Sequence, residues 1–158
     1  MSEALALTSV VGVVGSGAMG TGIAQVAAVA GHSVLLFDAR DGAAQTACDA
    51  IRKVFTSLVD KGRMTSEQAS AAASRLQAAS SLNEFKQAAL VVEAIVENLE
   101  AKQQLFASLE AIVSSDCVLA TNTSSLSITS IGATLKHPAR LVGMHFFNPV
   151  PLMALVEV

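Results

Sequence analysis

The feature that most constrains this chain is an apolar run, Val10–Val14, that breaks into Gly15-Ser16-Gly17-Ala18-Met19-Gly20 and continues as an amphipathic helix. A buried strand turning sharply into a helix presents backbone N–H groups to a pyrophosphate. Gly15 permits the tight turn, and Gly17 has no side chain to hold a phosphate off the backbone. Gly20 lets the helix lie close on the strand. The helix opening near Ala18 and Met19 turns its positive dipole end toward the same spot. Asp38 closes the next apolar run, Val34–Phe37, eighteen residues after Gly20. Its carboxylate is predicted to accept hydrogen bonds from adenosine ribose hydroxyls and to repel a 2′-phosphate, favouring NAD over NADP. Arg40 argues the other way, because a nearby cation suits a phosphate. Glycine-rich turns serve many loops; the strand before, the helix after and the acid at this distance make the pattern specific.

With 158 residues, 52% of them apolar and only 15% charged, the chain can fill one core with elements covered on both faces. A net charge of −3 does not provide the basic face that nucleic acid demands. No apolar run is long enough for a bilayer, and the N-terminus carries no basic stretch before an apolar segment, so a cytoplasmic location is expected. Cys48 and Cys117 have no metal-ligand spacing. Both read as small buried apolar residues, and no metal site is expected. The chain stops inside an apolar segment at Val156-Glu157-Val158, which reads as a severed polypeptide.

Residues 1–8 read as a loose lead-in. Strands are predicted over Ser9–Val14, His32–Phe37, Leu76–Ala78, Leu90–Ile95, Val118–Thr121 and Leu141–Phe147, with one more beginning at Leu155–Val158. Helices are predicted over Ala18–Ala30, from an Asp41 cap to about Lys61, over Ser66–Arg75, Leu82–Gln87, Leu99–Val113 and Ser127–Gly132. Thr65 with Gln68, and Ser81 with Glu84, fit capping boxes. The alternation implies a Rossmann-like, doubly wound α/β fold with a mostly parallel sheet, carrying a helix–turn–helix insertion after the second strand.

Three polar clusters fall at predicted strand ends, where open α/β sheets place their ligands. They are Glu93, Glu97 and Asn98; Asn122-Thr123-Ser124-Ser125; and His145 with Asn148 and two prolines. Each also has a structural reading. Asn, Thr and Ser after a strand are common turn formers and caps, Glu97 could simply start a helix, and His145 could be a packed core histidine.

Taken in order, Val91-Val92-Glu93-Ala94-Ile95-Val96-Glu97-Asn98-Leu99, Asn122-Thr123-Ser124-Ser125-Leu126 and His145-Phe146-Phe147-Asn148-Pro149-Val150-Pro151 closely resemble the NAD-binding domain of 3-hydroxyacyl-CoA dehydrogenases. The resemblance covers the chain from its first strand to Val158. It implies that His145 is the catalytic base, Glu157 the carboxylate paired with it, and Ser124 the hydroxyl that bonds the substrate 3-oxygen. It implies that Glu97, Lys102 and Asn122 line the nicotinamide and its ribose, beside Gly15, Gly17, Ala18, Met19, Gly20 and Asp38 for the rest of the NAD. The insertion at about Asp41–Arg75 is implied to contact CoA, with Arg52, Lys53 and Lys61 as candidates that also read as solvated helix charges.

The implied reaction is reversible oxidation of a 3-hydroxyacyl-CoA to a 3-oxoacyl-CoA, as in fatty-acid or aromatic-acid β-oxidation. A helical C-terminal domain, supplying dimer contacts and an asparagine, would lie outside this chain, so the isolated domain is expected to bind NAD and turn over poorly. Two other readings remain: a non-catalytic NAD-sensing module, and a related β-hydroxyacid dehydrogenase, which would depend on a lysine in a later domain.

Overall fold

Strand residues of the central run are apolar on both sides because helices cover both faces of the sheet. The structure, a computed structural model, describes residues 4–158; Met1–Glu3 of the expected lead-in lie outside the described residues. Six parallel strands, β1 (Val10–Val14), β2 (Ser33–Phe37), β3 (Leu76–Ala78), β4 (Ala88–Glu93), β5 (Val118–Thr121) and β6 (Leu141–Gly143), stand in the order β3-β2-β1-β4-β5-β6. The order reverses between β1 and β4, and this switch point opens a crevice at the carboxyl ends of the strands. Val11, Val13, Leu36 and Val92 pack on one face with Ile23, Ile51 and Phe55. Val14, Val91 and Leu119 pack on the other with Phe85, Phe106 and Leu109.

Helix α1 (Ala18–Ala30) follows the glycine turn, and α4 (Leu99–Ile112) and α5 (Ile128–Gly132) cover the second face. The insertion is present as α2 (Ala43–Asp60) and α3 (Ser66–Ser74). Gly62 turns the chain between them at φ +66°. Thr65 and Gln68 form the expected reciprocal box at 2.9 and 3.1 Å. Leu82–Gln87 is a 3-10 helix with the Ser81–Glu84 box. Both cysteines are buried and free.

Three expectations need correction. Asp41 does not cap α2: Gly42 occupies the N-cap at φ +70°, and no side chain bonds the first-turn amides. A side chain caps from extended backbone, which this left-handed residue does not provide. The central strand lies two residues earlier than predicted, because the Ile95 N–H bonds the Glu93 carboxylate at 2.7 Å instead of continuing the ladder. Leu141–Phe147 is not one strand. It ends at Gly143, and β7 (His145–Phe146) then pairs antiparallel with β8 (Val156–Glu157), with His145 opposite Glu157. The Asn148–Pro151 turn reverses the chain there, so the last strand does not extend the parallel sheet. Remaining boundary shifts are one residue, as where Ser127 caps α5 rather than opening it.

Phe55 anchors the insertion, being 1% exposed against the β1–β2 face. Phe55→Ala should cost about 3–5 kcal/mol in urea denaturation. A loss below about 1 kcal/mol would mean that α2 does not share the domain core.

Candidate active site

Hydrogen bonding carries the ladder one residue past each strand and aligns the site. Gly15 N–H donates to the Phe37 carbonyl, Ala94 N–H to Val14, Asn122 N–H to Glu93 and Met144 N–H to Thr121, at 2.8–2.9 Å. The polar clusters after β1, β4, β5 and β6 therefore border one crevice. Gly15 is required twice, by φ +104° and by an Ala94 carbonyl oxygen 2.4 Å from where its Cβ would stand. Gly20 is required by contact, since its Cβ would lie 1.7 Å from the Gly15 oxygen. Gly17 meets no protein atom within 4 Å of a built Cβ. The open space before the α1 N-terminus is where a pyrophosphate fits.

Beyond the turn, Gly15, Gly17, Asp38, Ala94, Ile95 and Val96 border a mostly apolar cavity of about 490 Å³. On the other side, Met19, Ala94, Ile95, Glu97, Lys102, Asn122, Ser124 and His145 border a second of about 370 Å³. Ala94 and Ile95 belong to both. Two chambers meeting at a phosphate cradle fit the two halves of a dinucleotide, with Asp38 at one end and His145 at the other. Ala18 is the first residue of the helix that opens on the cradle.

Asp38 does not stand free. Its Oδ2 accepts from the Ser16 N–H at 2.8 Å and the Ser16 hydroxyl at 2.7 Å. Its Oδ1 accepts from the Arg40 N–H at 2.9 Å and Nε at 3.0 Å. The Arg40 fork holds this carboxyl well below the usual carboxylate range; burial opposes that, and the Ser16 bonds add to it. Arg40 thus neutralises Asp38 rather than waiting for a phosphate. At 73% exposure its side chain lies on the solvent side of the carboxylate. Nothing in the residue pattern pointed to Ser16, the middle residue of the glycine turn.

Under the second cavity lies a buried ion pair. Glu93 and Lys102 are 0% and 1% exposed, with Lys102 Nζ 2.5 Å from Glu93 Oε1. Glu93 Oε2 accepts from the Thr121 hydroxyl at 2.7 Å. Lys102 has three N–H donors; among the described residues Glu93 takes one, while the side chain also borders the cavity. Glu97 does not start α4. Asn98 caps that helix through the Ala101 N–H at 2.9 Å, and the Glu97 carboxylate accepts from the Thr123 hydroxyl. That bond ties the segment between β4 and α4 to the loop bearing exposed Ser124. Asn122 Oδ1 accepts from the Phe146 N–H at 2.9 Å and so grips the hairpin. In the sequence Glu93 groups with the polar cluster after the central strand but has no evident partner, and Thr121 reads as a plain strand residue.

His145 and Glu157 are brought together across β7 and β8, with Nδ1 3.0 Å from Oε2. The Phe147 ring lies 4.6 Å from the imidazole. Glu157 is 63% exposed, so the pair adds little to stability and acts mainly on orientation. Of the insertion candidates, Arg52 is held by Asp49 at 2.9 Å and the Leu76 carbonyl at 2.7 Å, while Lys53 and Lys61 are exposed.

A carboxylate held low in the folded chain stabilises it above the unfolded carboxylate pKa. The contribution fades as pH falls toward the folded value. Stability to urea should therefore drop more steeply in the wild type than in Asp38→Asn between about pH 5 and pH 2. Parallel slopes would contradict the role of the Ser16–Arg40 cage.

Residues 10–158 match the family described as the NAD-binding domain of 3-hydroxyacyl-CoA dehydrogenase. The 3-hydroxyadipyl-CoA dehydrogenase of Escherichia coli is 47% identical over 148 residues, 94% of this chain and 31% of that protein. A probable 3-hydroxybutyryl-CoA dehydrogenase of Bacillus subtilis is 42% identical over 146 residues, 92% of this chain and 51% of that protein. The crystal structure of an Escherichia coli 3-hydroxybutyryl-CoA dehydrogenase superposes with a TM-score of 0.91 at 45% identity, over 94% of this chain and 32% of that one. The chain thus spans about a third to a half of these relatives. No helix among the described residues is long and apolar enough to cross a membrane. With the glycine cradle, the paired chambers and this match in agreement, the chain belongs to the 3-hydroxyacyl-CoA dehydrogenase family as its NAD-binding domain.

Proposed function

We propose that this domain carries the cofactor and the acid–base pair of an enzyme that oxidises 3-hydroxyacyl-CoA to 3-oxoacyl-CoA. The observation that carries the reading is the 3.0 Å His145–Glu157 contact in a hairpin whose histidine shares a cavity with Ser124 and Lys102. With Nδ1–H donated to Glu157, the Nε2 lone pair is free to take the proton of the substrate hydroxyl. Glu157 fixes the tautomer and the orientation of the ring. The Ser124 hydroxyl donates to the same substrate oxygen as it becomes a carbonyl oxygen, limiting charge build-up there. The bound nicotinamide supplies the hydride acceptor. In the reverse direction His145 returns its proton to the substrate oxygen, which Ser124 still holds.

A sensing module needs the glycine cradle and Asp38 but has no use for a histidine–carboxylate pair at the other end of the crevice, which favours the enzyme. The relatives' names carry acyl groups as different as hydroxybutyryl and hydroxyadipyl, so the proposed substrate class is the 3-hydroxyacyl thioester itself. The chain spans only part of those proteins. We further propose that a helical C-terminal domain supplies dimer contacts and closes over the acyl group, and that the complete enzyme is a cytoplasmic homodimer.

Replacing His145→Gln in the complete protein should lower turnover of 3-hydroxybutyryl-CoA by about 10²–10⁴-fold and leave NAD affinity intact. Undiminished oxidation would remove His145 from the chemistry.

A further inference from the structure

The hairpin bearing His145 and Glu157 is not hydrogen-bonded into the six-stranded sheet as a strand, so its height above the crevice needs another support. Two polar bonds hold its first arm, from Met144 N–H to the Thr121 carbonyl and from Phe146 N–H to Asn122 Oδ1. The turn between the arms is held by an apolar contact. Val150, flanked by Pro149 and Pro151, is 5% exposed and joins the same core as Ile23 and Phe146.

Facing it is Gly22, one turn into α1. A Cβ there would stand 2.8 Å from Val150 Cβ, 3.1 Å from its Cγ2 and 3.5 Å from Pro151 Cδ. Gly22 lies within a regular helix at negative φ, so its backbone has no need of glycine. Glycine is otherwise unfavourable there relative to alanine. Space for the turn is what the position demands. Val150 meets it with a branched Cβ, and the flanking prolines stiffen the backbone. Any displacement of Val150 is therefore passed to both arms.

We propose that Gly22 and Val150 form a positioning seat through which α1, whose N-terminus faces the cofactor phosphates, also sets the place of the His145–Glu157 pair. Phosphate cradle and proton acceptor are then both placed from one rigid element. The kinetic consequence rests on the function proposed above; the geometric one does not.

The test substitutes Gly22→Ala alone and together with Val150→Gly, with Val150→Gly as the reference for the pair. The readouts are the ¹⁵N resonance of His145 Nδ1, NADH affinity by fluorescence titration, and kcat against KM in the complete protein. Gly22→Ala should shift the Nδ1 resonance away from its hydrogen-bonded position and lower kcat about tenfold or more. NADH affinity and the KM for NAD should stay within about twofold. In the Val150→Gly background the same substitution should have little effect on either resonance or kcat. If Gly22→Ala alone fails to fold and the double variant folds, the seat is supported. An unmoved resonance in folded Gly22→Ala, an equal perturbation with and without Val150→Gly, or a double variant that also fails to fold would overturn it. If His145→Gln keeps full turnover, the functional reading falls, while the Nδ1 resonance still decides the seat.

Discussion

A carboxylate with no solvent around it must be answered by protein donors, and Glu93 is such a group at the switch point of the sheet. It draws the Ile95 N–H from its own strand end, the Lys102 ammonium from α4 and the Thr121 hydroxyl from β5. Removing any one partner would leave a buried charge short of compensation. One buried carboxylate thus joins β4, α4 and β5 under the crevice. Ending β4 at Glu93 also turns Ala94 and Ile95 toward the glycine loop, where they form the wall shared by the two chambers.

On that floor stand two charged devices of opposite character. At one end Asp38 is caged by Ser16 and Arg40, so the acidic charge is already answered by protein donors. Arg40 sits at the surface, outside the core. At the other end His145 and Glu157 are joined across a short hairpin, half open to solvent, where a proton can enter and leave. The two ends share α1. Its N-terminus closes the phosphate cradle, and Gly22 receives the turn below the histidine.

Much of this is legible in the sequence, because the responsible residues act locally. Gly15 is forced locally by its positive φ and Gly20 by the Gly15 oxygen of the turn they build, and Thr65 with Gln68 closes its box within four residues. Alternation of apolar strands with amphipathic helices carries the doubly wound topology. What sequence patterns leave open depends on distant partners. Ser16 matters only because Asp38 returns beside it, and Glu93 is explicable only with Lys102 and Thr121 in place. The break at Met144 has the same origin: residues 141–147 read as one apolar strand, yet Asn122 and Val156–Glu157 capture its second half. Gly42 at the head of α2 is a local signal that a cap rule centred on Asp41 overlooked.

The central claim is that a cofactor lies across the glycine turn, its adenine in the chamber beside Asp38 and its nicotinamide beside His145. Intermolecular nuclear Overhauser effects between NADH and selectively labelled protein test this most directly. Contacts are expected from nicotinamide ring protons to the His145 imidazole and Met19 methyl, and from adenine protons to Ala39 and Val96. Nicotinamide contacts at Val96 and Ala39, or none at His145, would contradict it.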